Sequence, residues 1–346
     1  MPYSYLRVYI SRSGLVELGL GQMGKIVVEP LAFESLGVRS MSCLIETPDI
    51  KMLVDPGIAL GPRFGLLPHP KEYRVRSQLR SVLIKESHKA DVITISHYHH
   101  DHYTPNYVEN VFIGSSPEDA TSIIQDKTLI IKDFRENVNA SQRRRGWLFW
   151  RFAQKYSKEV LIADGKEYQF GETKIKFSKP VPHGEAGSSL GWVTMLVVNF
   201  DGLKVMHASD IQGPIFEGTV DSILQENPEI LIAGGPPLYL AGGLVDEIVV
   251  RRSKGNINRL CQTVENVILD HHVMRSLDWH IFLESARRNA ESIGHILQSA
   301  ARFKGLEENL LEARRIELYK EEPPNSDFLA WTKLPWDRRR VEPPPV

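Results

Sequence analysis

The stretch Ile95-Ser96-His97-Tyr98-His99-His100-Asp101-His102 packs four histidines and a carboxylate into six residues, directly after the apolar run Asp91-Val92-Ile93-Thr94-Ile95. A run of that kind predicts a strand buried on both faces, which delivers the imidazoles at its carboxyl end. Histidines at i and i+2 point the same way as they leave a strand, and the Asp and His that follow turn toward a neighbouring point. That is a layout for two cations. Neutral imidazole suits zinc, iron or nickel, and a carboxylate supplies the harder oxygen of a hydrolytic metal site. The bland alternative is a polar histidine-rich loop that binds nothing.

Working outward, other predicted strand ends also carry carboxylates and imidazoles. Met41–Glu46 and Lys51–Asp55 read as a hairpin closed by Thr47-Pro48-Asp49, so a strand ends at Asp55 before Pro56-Gly57. Trp192–Phe200, the turn Asp201-Gly202 and Leu203–Ala208 read as a second hairpin, ending at Ser209-Asp210. Asn266–Leu269 reads as a last buried strand running into Asp270-His271-His272. His183 lies in Pro180-Val181-Pro182-His183-Gly184, where the prolines fix the backbone. Leu129–Ile131 and Val160–Ile162 look like further strands. Ser141–Tyr156 reads as a helix with Trp147 and Trp150 on its apolar stripe and Phe149 and Phe152 off it, and Asp278–Phe303 reads as helical. Strands alternating with helices, with hairpins in both halves, predict a layered α/β fold.

At 346 residues and 42% hydrophobic, the chain can bury a large core. Lys plus Arg number 42 and Asp plus Glu 43, a net charge of -1 that gives no global attraction to nucleic acid or anionic lipid. Cys43 and Cys261 form no metal or redox spacing, which suits a reducing cytosol. Met1–Arg7 has no apolar signal core, and no stretch approaches the ~20 apolar residues that span a bilayer. A cytoplasmic chain with no membrane contact is expected.

Asp55, the HxHxDH run His97–His102, His183, Asp210 and His271 or His272, in that order, resemble the signature of the metallo-β-lactamase superfamily from about Ser40 to His272. In general look the chain is similar to uncharacterised archaeal predicted metal-dependent hydrolases of that superfamily. The resemblance implies an αββα sandwich of two mixed sheets flanked by helices. It would form a single domain over residues 1–320, with an insertion at about 104–165 and a proline- and charge-rich tail over 321–346. It also implies two divalent metals: His97, His99 and His183 around the first, Asp101, His102 and His271 around the second, and Asp210 bridging both. Zinc is expected, with iron and manganese as alternatives. Adjacent residues of an extended strand face opposite ways, which favours His271 and leaves His272 as the alternative. Asp55 is expected to fix the histidine loop by hydrogen bonding, the other reading being an ordinary turn aspartate. His183 has the alternative of a plain loop histidine. Ser209 stands where the family usually has glycine.

By the same resemblance the chain is a metal-dependent hydrolase, in which water or hydroxide bridged by two metals attacks a small ester, lactone or phosphoester. Asp55, Asp101 and Asp210 are its candidate catalytic carboxylates. RNA or DNA phosphodiesterase activity is the alternative, and an iron oxidoreductase of the same fold a further one. Nucleic acid is not favoured, because the net charge is near zero and only about 60 residues separate Asp210 from His271. Arg143-Arg144-Arg145-Gly146-Trp147 with Arg151 could still grip a phosphate, Arg145 being the candidate for an anionic substrate group. A solvated helix face explains the same residues. Arg338-Arg339-Arg340 reads as a solvated end.

Overall fold

The computed structural model describes residues 8–10, 26–187 and 189–346. Met1–Arg7, read above for an export signal, lies outside them. Among the described residues, the first of two seven-stranded sheets runs in chain order: β1 (Val8–Ile10), β2 (Ile26–Phe33), β3 (Met41–Glu46), β4 (Lys51–Val54), β5 (Val92–Ile95), β6 (Thr128–Ile131) and β7 (Glu159–Ile162). It is antiparallel to β4 and parallel from there on. The segment 104–165, set apart above as an insertion, thus contributes β6 and β7 to this sheet.

The chain then forms β8 (Glu167–Phe170), β9 (Thr173–Phe177) and the short pair β10 (Val181–Pro182) and β11 (Trp192–Val193). It continues through β12 (Leu196–Phe200), β13 (Leu203–Ser209), β14 (Ile230–Gly234), β15 (Asn266–Asp270) and β16 (Ile296–Gln298). The second sheet has the order β16-β15-β14-β13-β12-β9-β8 and is parallel from β13 to β16.

Period-two alternation assigns each strand residue to a layer. In β3, Cys43 and Ile45 point inward against Ile175, Val198, Val205 and Ile232 of the other sheet, while Leu44 points outward. In β5, Val92 is inside and Ile93 and Ile95 are outside. Both faces are covered, so these strands are apolar without a break. The outer face of the first sheet packs on α1 (Pro70–Ser87), α2 (Pro117–Ile124) and α3 (Ala140–Tyr156). That of the second packs on α4 (Glu217–Glu226), α5 (Glu247–Thr263) and α6 (Trp279–Glu291). The architecture is the αββα sandwich.

Three local readings change. Residues 278–303 are not all helix: β16 sits between α6 and α7 (Ala300–Phe303), pairing with β15 as an edge strand. On α3 the buried face is Gln142, Gly146, Phe149, Phe152 and Ala153, with Trp150 partly buried against Phe134, whereas Trp147 is exposed. Gly146 sets that face, because a Cβ there would stand 2.5 Å from Tyr98 and Phe134. The terminal segment is held on the domain. After α8 (Arg315–Glu321), α9 (Ser326–Thr332) inserts Phe328 and Trp331 beside Tyr73 of α1, and α10 (Trp336–Val341) follows with Arg338 and Arg340 exposed.

The carboxyl ends of β4, β5, β13, β14 and β15 meet at one edge of the sandwich, where parallel strands leave a crevice for chemistry.

Candidate metal centre

Asp55 is fully buried at the end of β4 and organises the loop after β5. Its Oδ1 accepts the Ser96 backbone N–H at 2.7 Å. Its Oδ2 accepts the Ser96 hydroxyl at 2.5 Å and His102 Nδ1 at 2.9 Å. Since the Ser96 proton goes to Asp55, the Ser96 oxygen is left to accept from His97 Nδ1 at 3.0 Å. Asp55 therefore sets both tautomers, keeping the Nε2 lone pairs of His97 and His102 bare. Burial opposes its ionisation, but the hydrogen bonds and charge of His102 prevail and its carboxyl sits below the usual range. Next to it Gly57 presses on the loop, where a Cβ would come within 2.1 Å of the Tyr103 nitrogen.

The alternation of the HxHxDH run is visible in the rings. His97 and His99 lie 4.7 Å apart by centroid, and His183, entering from the loop after β10, sits 5.2 and 4.8 Å from them. His100 turns away to Tyr107, 3.1 Å from its hydroxyl. Asp101 and His102 instead face His271, whose Nε2 is 3.5 Å from Asp101 Oδ2. Between the two groups stands Asp210, at the end of β13: its Oδ2 is 2.8 Å from His183 Nε2 and 3.4 Å from His271 Nε2.

His272 also reaches Asp210, at 3.1 Å, which corrects the premise that only one of the adjacent histidines can face the site. The strand does not stay extended: His271 adopts φ +63. The turn is held by Asp270, whose Oδ1 accepts the backbone N–H of His271 at 2.7 Å and of Ser35 at 3.1 Å, and whose Oδ2 accepts that of Ala300 at 2.9 Å.

One donor set of His97, His99, His183 and Asp210 and another of Asp101, His102 and His271 each keep their atoms within 4.8 Å of one another. His97 Nε2, His102 Nε2 and Asp210 Oδ1 are buried without a hydrogen-bond partner among the described residues. Each such atom costs about 1–3 kcal/mol when left bare. Burial pushes the His97 and His271 pKa values down and takes those of His99 and His272 to about 3. The neighbouring histidines overcome the burial of Asp101 and Asp210 and hold both carboxyls below the usual range. Neutral imidazoles facing ionised carboxylates fit a divalent cation.

Arg145 does not point to solvent: its Nη1 donates to the Tyr98 carbonyl at 3.0 Å, inside the histidine loop. Sequence reasoning passes over Ser96, Tyr239 and Arg275, and marks Ser209 only as a departure from the family's glycine. Ser209, at φ +60, bonds the Ser96 hydroxyl at 2.6 Å, joining the ends of β13 and β5. Tyr239 meets His272 Nδ1 at 3.1 Å, and Arg275 is pinned by Glu34 at 2.9 Å with Tyr239 at 3.1 Å. Only Ser96, flanked by the strand and the first ligand histidine, carried a local signal.

Residues 38–236 match the family model described as the beta-lactamase superfamily domain. A UPF0282 protein of Methanopyrus kandleri is 38% identical over 296 residues, covering 85% of this chain and 99% of its own. A UPF0282 protein of Thermococcus sibiricus is 43% identical over 295 residues, covering 85% and 94%. Among solved structures, the metallo-beta-lactamase fold protein YhfI from Bacillus subtilis is similar with a TM-score of 0.41 at 14% identity, covering 79% of this chain and 95% of that one. With a family match over more than half its length and full-length relatives of this kind, the chain belongs to the metallo-β-lactamase superfamily and, within it, to the archaeal UPF0282 proteins.

Proposed function

We propose that this chain is a binuclear metal-dependent hydrolase acting on a small ester, lactone or phosphoester. The observation that carries the reading is the convergence on Asp210 of two donor groups, His97/His99/His183 and Asp101/His102/His271. Zinc suits an imidazole-rich set with few carboxylates. When bound, a pair of divalent cations lowers the pKa of water toward neutrality and polarises the substrate oxygen. The chain's own part is to hold that set rigid: Asp55 fixes the tautomers, Asp270 the turn at His271, and Arg275 the Tyr239–His272 pair. Asp101, whose side chain is 18% exposed against 2% for Asp210, is the carboxylate placed to orient an incoming water. No Ser, Cys or Thr nucleophile is needed.

Among the described residues no helix is long and apolar enough to cross a membrane. Both cysteines are free and buried, which supports a reducing compartment. A second reading, nucleic-acid phosphodiester cleavage, draws support from the exposed groove lined by Phe134, Arg135, Arg143, Arg144 and Trp147, where cations and aromatics alternate. Metal analysis of anaerobically purified protein, followed by a lactone, thioester and phosphodiester panel, tests the first reading. Turnover of oligonucleotides alone, with steep salt dependence, would transfer the assignment to the second.

A further inference from the structure

Beyond the metal ligands, the side of the site formed by Tyr239 holds more positive charge than its carboxylates balance. Arg39 pairs with Glu312 through two bonds, at 2.7 and 2.8 Å, and Arg275 pairs with Glu34 at 2.9 Å. Arg63 has no carboxylate of its own. Its nearest is that same Glu312, 3.8 Å away and already engaged. The side chain is only 12% exposed, and its Nε and Nη1 are buried with no hydrogen-bond partner among the described residues. Its guanidinium lies 4.2 Å from the centroid of the Tyr239 ring and 4.7 Å from that of Phe64. The Tyr239 hydroxyl meets His272, which meets Asp210, so two side chains link Arg63 to the centre of the donor cluster.

The loop that carries Arg63 is built to be rigid. Arg63 and Leu66 exchange backbone hydrogen bonds at 3.2 and 2.8 Å. Beneath them Arg315, paired with Glu72 in full burial, donates to the carbonyls of Gly61 and Leu66 at 2.8 and 3.2 Å. A guanidinium fixed in place, desolvated and left with free donors is a costly arrangement unless an oxyanion completes it. Burial draws the Arg63 pKa down, against the opposing effect of Glu312 and Tyr239.

We infer that Arg63, stacked on Tyr239, is an oxyanion subsite beside the metal centre, so that the substrate carries a phosphate or carboxylate group in addition to its scissile bond. Arg suits this task because its planar fork meets such groups in two parallel hydrogen bonds. The inference rests on the hydrolase reading for the word substrate, but the anion subsite is testable without turnover. The probes are ω-phosphonocarboxylates with two to five methylenes, titrated calorimetrically into the metal-loaded full chain beside methylphosphonate, which offers one charged group. At least one chain length should bind the wild type about tenfold or more tighter than methylphosphonate, and that gain should vanish in Arg63→Met and Arg63→Gln with metal content unchanged. A gain absent at every length, or retained in both variants, overturns the subsite. If the gain is present and Arg63-dependent while no ester or lactone is turned over, the hydrolase reading fails and the subsite stands.

Discussion

His271 and His272 are neighbours in the chain, yet both imidazoles lie against one oxygen of Asp210, their Nε2 atoms 3.4 and 3.1 Å from it. The rings have different second partners. His271 also faces Asp101 at 3.5 Å, whereas His272 gives its other nitrogen to Tyr239 at 3.1 Å. On these partners we propose His271 as the ligand beside Asp101 and His102, and His272 as the residue that orients Asp210. His271→Ala should reduce bound metal from two ions to one. His272→Ala should keep both and lose about 10–100-fold in kcat/KM. Elemental analysis of both variants decides it: a missing metal in His272→Ala would overturn this division.

This pair also shows where sequence reasoning stopped. The HxHxDH run and Asp55 could be read because their geometry is local, being set by two adjacent strand ends. The turn at His271 depends on Asp270 gathering N–H groups from Ser35 and Ala300, far away in the chain, and no local pattern encodes that. The same holds for Arg63, Tyr239 and Arg275, which converge from three separate segments. On α3 the error had another origin. The sequence pattern makes tryptophan the marker of the buried face, but the close approach of Gly146 to Tyr98 turns Trp147 outward, where its ring stacks under Arg151 at 4.8 Å.

Ser209 occupies left-handed backbone, φ +60, which explains the glycine usual at this place in the family. The serine keeps the strain, and its single hydroxyl proton is shared between the Ser96 and Asp55 oxygens, at 2.6 and 3.3 Å. Ser209→Ala loses the bonds and keeps the strain, so it should destabilise by about 1 kcal/mol. In Ser209→Gly the relieved backbone, worth about 1–2 kcal/mol, offsets the loss. Urea unfolding of the metal-loaded variants should rank Gly at or above Ala. The reverse order would mean that the left-handed backbone at this position costs little.

Arg145 donates to the Tyr98 carbonyl within the histidine loop, so its removal should disturb the loop whatever the substrate's charge. Arg145→Ala should lower kcat/KM about tenfold for neutral and anionic substrates alike. A loss confined to anionic substrates would restore the substrate-contact role inferred from the sequence.

The imidazoles determine how the metal-stripped protein responds to acid. His97, His99, His271 and His272 have folded pKa values below the unfolded 6.5, about 3 for His99 and His272. In the unfolded chain they take up protons first. Their contribution to stability is complete above pH 6.5 and is lost progressively toward pH 3. His102, its pKa raised by Asp55 against the effect of burial, acts in the opposite sense, as does Glu34, which burial pushes up to about 8, but the lowered imidazoles outnumber these two. The Tm of chelated protein should therefore fall steadily from pH 6.5 to 5. Saturating zinc should raise Tm at each pH, least at the acid end, where protons compete for the ligand nitrogens. A Tm independent of pH over that window in the chelated protein would contradict the assigned protonation states.

The most demanding test falls on Asp55, which touches no substrate. Its two oxygens receive four groups: the Ser96 N–H and hydroxyl, His102 Nδ1 and the Ser209 hydroxyl. Asn has the same shape but one acceptor oxygen and an NH₂ that only donates. If the oxygen stays where His102 and the Ser96 hydroxyl both donate, the amide NH₂ faces the Ser96 backbone N–H, donor against donor in full burial. If it stays with the Ser96 N–H, His102 is faced by a donor and must move its proton to Nε2, the atom that has to remain bare. One orientation sets two buried donors against each other and the other gives His102 the wrong tautomer. Asp55→Asn should therefore weaken binding of at least one metal about 10–100-fold. Asp55→Ala, which leaves the buried Ser96 and His102 groups unmet, should in addition destabilise the fold by about 1–3 kcal/mol. Competition titration with a chromogenic chelator measures the first effect and denaturant unfolding the second. Wild-type metal affinity in Asp55→Asn would reduce Asp55 to the ordinary turn aspartate that its Pro-Gly context also allows.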